Sequence, residues 1–135
     1  MTCEEFDRLC QSLPHTTSVV QWRGSHVWKV GGKVFAWATS GGATAGVTFK
    51  ASEMTYHMLK EEPGLRPAPY MASRGLKWLQ QHGEPGLPDE VLADYVRHAY
   101  AMVVNGLPKK VKTELGLTGR RPTRAGLLEP RARPR

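Results

Sequence analysis

HVWKVGGKVFAWATSGGATAGVTFK, residues His26 to Lys50, is the stretch that decides the fold. Two apolar runs, His26 to Val30 and Lys33 to Ala38, flank Gly31 and Gly32, which supply the positive φ angles of a two-residue type I′ hairpin turn. That turn fixes the register, because side chains alternate. Val30 then faces Lys33, Trp28 faces Phe35 and His26 faces Trp37 on one face, while Val27, Lys29, Val34, Ala36 and Ala38 share the other. The first face is aromatic and the second mostly small. Val47 and Phe49 alternate with Thr48 and Lys50 in a strand that closes a meander.

Upstream, Thr2 to Leu13 reads as a helix with a capping box between Thr2 and Glu5, its buried stripe formed by Phe6, Leu9, Cys10 and Leu13. Pro14 ends it. The β-branched run Thr17 to Trp22 is a first strand, broken by Arg23, Gly24 and Ser25.

Downstream of the meander, Ser52 caps a short helix to about Glu62, with Met54, Met58 and Leu59 on its apolar side. Pro67 and Pro69 force extended backbone, and Leu76 to Gln80 returns as an edge strand. The turn-rich HGEPGLP leads into the longest helix, Pro88 to Asn105, whose face of Val91, Leu92, Tyr95, Val96, Ala99, Met102 and Val103 makes it the principal lid on the sheet. Gly106 suits the C′ position of that helix. A short basic turn with Lys109, Lys110 and Lys112 follows, ended by Gly116. The fold class is α+β, in the order α-β-β-β-β-α-β-α.

The 135 residues make one globular domain, residues 1–117, and an Arg/Pro-rich tail, residues 118–135, too poor in apolar residues to fold and expected to be disordered. The net charge of +7 is concentrated there: six arginines stand against one glutamate, which leaves the body only +2. An acidic rather than basic-then-apolar start and the short apolar runs predict no signal peptide or membrane span, and a cytoplasmic protein. Cys3 and Cys10, seven residues apart on one helix, have Cα atoms about 10 Å apart and are no disulfide.

The Gly41 to Gly46 spacing imitates a phosphate loop, but Val47 and Thr48 stand where Lys and Ser or Thr are needed, and a strand follows instead of a helix. The five histidines have no HExxH pattern and there is no CxxC, so neither a metal nor a cofactor is expected. Asp94 and His98, at i and i+4, have the spacing by which a carboxylate orients an imidazole. No nucleophile or oxyanion glycines accompany them, and no enzyme is expected.

The element order and several short strings resemble the MmcQ/YjbR family of small bacterial proteins over residues 1–117. The strings are Gly32-Lys33-Val34-Phe35-Ala36, Val47 to Lys50, Arg66-Pro67-Ala68-Pro69-Tyr70, Trp78 and Leu87-Pro88-Asp89. The resemblance implies helices packed on an antiparallel sheet and a DNA-binding role. It does not reach the tail.

Cations interleaved with aromatics are the composition that neutralises phosphates and stacks on bases. They point to Arg23, Lys33, Arg66, Tyr70, Arg74, Lys77 and Trp78 in the body and to Arg120, Arg121 and Arg124 in the tail. The expected partner is therefore DNA, met weakly or non-specifically by a monomer. The alternative is a protein-interaction or chaperone-like module that uses a sheet edge or a face of Trp28, Phe35 and Trp37 left uncovered by helices.

Overall fold

The computed structural model describes residues 1–21, 24–39, 46–69, 71 and 74–116. Arg23, Tyr70, Arg120, Arg121, Arg124, the glycine-rich loop and the tail lie outside them. The chain divides into two compact units, Met1–Asn105 and Gly106–Arg135. In the second, the described structure is the helix α4, Lys109–Leu115, with Gly116 as its C-cap.

The first unit opens with α1, Cys3–Gln11. Its capping box forms as read: the Glu5 amide donates to Thr2 Oγ1 at 3.1 Å and the Thr2 amide to Glu5 Oε1 at 2.8 Å. Strands β1 (Thr16–Gln21), β2 (Ser25–Val30), β3 (Lys33–Thr39) and β4 (Gly46–Lys50) follow, then α2 (Glu53–Leu59), β5 (Leu65–Pro67), β6 (Trp78–Gln81) and α3 (Asp89–Gly106). The strands form one antiparallel sheet in the order β1-β2-β3-β4-β6-β5. The sequence placed β6 at an edge. It lies instead between β4 and the short β5, which the proline-rich connection had hidden.

The hairpin turn is the expected one, with φ of 60° at Gly31 and 80° at Gly32, and Val30 pairs with Lys33. Beyond Lys29 and Val34 the register slips by one residue, so that Trp28 pairs with Ala36, Val27 with Trp37 and His26 with Ala38. Phe35 is the extra residue of a β-bulge, and a bulge exchanges the faces of everything after it. Trp28 and Phe35 remain under the helices, joined by Ala36 and Ala38, and Trp37 turns to the opposite face. The uncovered three-ring surface therefore does not form.

The core lies between α1, α3 and this inner face. Phe35, Phe49, Ala36, Ala38 and Val47 from the sheet and Phe6 and Cys10 from α1 have no exposed surface. From α3, Leu92, Val96, Ala99 and Val103 are buried at i, i+4, i+7 and i+11. The stripe is narrower than expected, since Val91 is 38% exposed. Tyr95 stacks on Phe49 with centroids 6.1 Å apart, and Tyr100 meets Phe35 edge-on at 5.5 Å while its hydroxyl donates to the Pro14 carbonyl at 2.6 Å. Gly106 is helical and not the C′ residue. On α2 only Leu59 is buried, and Met54 and Met58, one turn apart on the other side, are exposed.

The start of α3 is fixed by two loops that touch backbone to backbone. The His82 amide donates to the Gly64 carbonyl at 2.9 Å and the Gly86 amide to the Pro63 carbonyl at 3.1 Å. The Gln81 side chain accepts the Leu87 amide at 2.6 Å.

Candidate nucleic-acid interface

Because paired residues share a face, the ladder defines what lies on the side of the sheet away from α1 and α3. One row runs Val19, Val27, Trp37, Thr48, Gln80, Arg66. Alternation adds a second row on one side of it, with Lys29 and Val34 on β2 and β3 and Lys50 and Trp78 on β4 and β6. Among the described residues, these rows carry three cations and no carboxylate.

Polar contacts hold these groups in place. Arg66 Nε donates to Gln80 Oε1 at 2.8 Å, and Gln80 Nε2 donates to the buried Thr48 hydroxyl at 3.2 Å. The Arg66 side chain is exposed. Lys50 Nζ lies 5.8 Å from the Trp78 ring, and Trp78 packs at a 31° tilt on Trp37, centroids 5.4 Å apart. At 7% exposure Trp78 is a wall of this surface and not an open platform, whereas Trp37 is half-buried.

The other described cations singled out in the sequence, Arg74, Lys77 and Lys33, are dispersed. Arg74 is exposed in the turn before β6, and Lys77 has its Nζ 5.4 Å from the Tyr56 ring of α2. Lys33, opposite Val30, sits exposed at the hairpin tip. Thus Arg66 and Trp78 come together on the outer face with Lys29, Lys50, Trp37 and Gln80, which the sequence reading missed. Lys50 was legible from its alternation with Phe49. Trp37 was not, because the bulge moved it.

The carboxylates lie on the helix side, among cations that include the Met1 ammonium, 2.8 Å from Asp89 Oδ1. A groove of about 700 Å³ between α1 and α3 is lined by Glu5, Asp89, Glu90 and Asp94 as well as Arg8 and Arg97. Asp94 is the acceptor of Arg97, Nη1 to Oδ1 2.7 Å, and not of His98. A carboxylate that does hold an imidazole is Asp7: His26 Nδ1 donates to its Oδ2 at 2.7 Å and Trp28 Nε1 to its Oδ1 at 2.9 Å. Burial, reinforced by the Asp7 carboxylate, pushes the thiols of Cys10 and, less strongly, Cys3 above their usual range, so both remain protonated at neutral pH. Burial does the same to the Tyr100 phenol.

A six-stranded antiparallel sheet with α1 and α3 on one face and cations on the opposite one defines the class: a small α+β domain with one charged sheet surface. The sequence model of the YjbR family matches residues 11–102, and the chain belongs to that family. The fold is also that of Deinococcus radiodurans protein DR2400, whose crystal structure carries the DUF419 domain; it superposes with a TM-score of 0.74 at 21% identity, over 86% of this chain and 88% of that one. No curated protein sequence matches the chain. No helix among the described residues is long and apolar enough to cross a membrane, and no group of three potential metal ligands occurs among them.

Proposed function

We propose that this domain binds DNA through the outer sheet face, neutralising phosphates with Lys29, Lys50 and Arg66 and catalysing no reaction. The observation that carries the reading is the absence of any carboxylate from the described residues of those rows, while acids line the groove on the helix side. Lysine and arginine contacts of this kind release counterions from the duplex and are insensitive to base sequence. Among the described residues, Arg66, oriented by Gln80, is the cation of the face that is held by a side-chain hydrogen bond. Contact is therefore non-specific or weakly specific, with Trp37 offering part of its ring to an unstacked base. The six arginines after Leu117 add a second, independent electrostatic contribution.

The test is a titration of the full chain on duplex DNA over a salt series. Replacing Lys29, Lys50 and Arg66 together by Ala should flatten the slope of log affinity against log salt by about 2 to 3 units, at about 0.9 per phosphate contact. Replacing Arg120, Arg121 and Arg124 by Ser gives the tail's share separately. An unchanged slope in the sheet variant, with its fold intact, would refute the assignment of this face.

A further inference from the structure

The two edges of the sheet are built differently. β5 is three residues long and contains Arg66 and Pro67, both of which discourage pairing with another strand. The opposite edge, β1, is six residues of TTSVVQ without a charge or a proline. It is paired to β2 along its whole length with no irregularity, so its outer backbone groups form a regular ladder half without a partner strand among the described residues. Val19 and Val20 on it are 41% and 64% exposed.

We propose that β1 pairs with β1 of a second copy of this chain, antiparallel about a two-fold axis, to make a continuous twelve-stranded sheet. Three features select a second copy. A two-fold axis normal to the sheet maps each face onto itself, so it must pass through a residue, and passing it through Val19 sets Val19 against its equivalent and Val20 against Ser18 of the copy. Both exposed valines are then covered, and β-branched pairs are favourable across strands. The strand has no charge, so self-pairing opposes no like charges. Finally, the blunted β5 edge prevents a second such contact, which closes the assembly at a dimer where two open edges would give a filament.

Start and span of the strand fit this use. Thr16 Oγ1 donates to the carbonyls of Cys10 at 2.9 Å and Leu13 at 3.1 Å, anchoring the beginning of β1 to the end of α1. One six-residue strand buries less than the roughly 800 Å² per partner of a stable interface, so the dimer is weak. It extends the outer face of each protomer into the other but does not depend on that face binding DNA.

Sedimentation of the full chain tests this without any ligand. Between about 10 μM and 1 mM, the range of a weak interface, the mean mass should climb from 15.0 kDa toward twice that value. Over the same range, amide exchange in β1 should slow while the other edge, β5, stays unchanged. Val19→Lys, which opposes two charges at the axis, should hold the mass at that of the monomer, and so should Val20→Lys. Both sites are exposed, and a retained melting temperature shows that the fold is kept. A wild-type mass constant up to 1 mM overturns the proposal. A rise that both lysine variants share overturns it equally, by placing the contact elsewhere.

Discussion

Asp7 on α1 accepts the indole N–H of Trp28 on β2 at 2.9 Å through one oxygen and His26 Nδ1 at 2.7 Å through the other, and so ties the first helix to β2. The indole is 7% exposed, so without Asp7 its N–H has no ready replacement partner. Leaving a buried donor unsatisfied costs about 1–3 kcal/mol, more than a hydrogen bond contributes net. Asp7→Ala should destabilise by that amount in urea unfolding. Asp7→Asn, which keeps an acceptor oxygen, should cost less. In a double-mutant cycle with Trp28→Phe the two effects should be strongly non-additive, and strict additivity would show that the contact carries no coupling.

Phe35 is the bulge residue and is fully buried against Tyr100. Phe35→Ala should lower stability by roughly 3–5 kcal/mol, the cost of deleting a buried ring together with the cavity it leaves. Thermal unfolding indistinguishable from the parent would mean that the ring is not in the core.

Gly64 has φ +90°, and a Cβ there would stand 2.5 Å from the Gly83 carbonyl oxygen and 2.5 Å from the Gly86 nitrogen. Both are backbone atoms and cannot swing away. Gly64→Ala should therefore cost more than the roughly 1–3 kcal/mol of an unfavourable φ alone. Gly32, at φ +80° with nothing within 4 Å, supplies the control. Gly32→Asn should be tolerated, since Asn accepts the left-handed region. Equal losses at the two positions would rule out the steric account of Gly64.

The alkaline limit of stability follows from Cys10 and Tyr100, whose folded pKa values are both raised by burial from ordinary values of 9.0 and 10.0. A raised folded pKa means that the native state holds a proton which the unfolded chain loses. The resulting stability is complete below the ordinary values and is lost as the pH climbs above them toward the folded ones. Denaturant midpoints should be flat from neutral pH to about pH 9 and then fall, each group contributing up to about 1.4 kcal/mol per pH unit. Cys10→Ala and Tyr100→Phe should each remove part of that slope. An unaltered slope in both would assign it to other groups.

Much of the architecture is written locally. Thr2 and Glu5 announce the first helix, Gly31 and Gly32 the hairpin, and the spacing of Leu92, Val96, Ala99 and Val103 the lid, because caps, turns and single-helix stripes depend only on residues a few positions apart. The turn even determines the first two pairs of the hairpin, Val30 with Lys33 and Lys29 with Val34. The next pair is not local. Regular alternation would place Trp28, Phe35 and Trp37 on one face, and only the packing of α1 and α3 against the sheet decides that Ala36 and Ala38 line that face while Trp37 leaves it. The same holds for the candidate site. Lys29, Lys50 and Arg66 lie on three strands far apart in sequence, and Arg66 joins the other two on one face only through the insertion of β6 between β4 and β5. Composition revealed the cations; the order of the strands decided which of them share a surface.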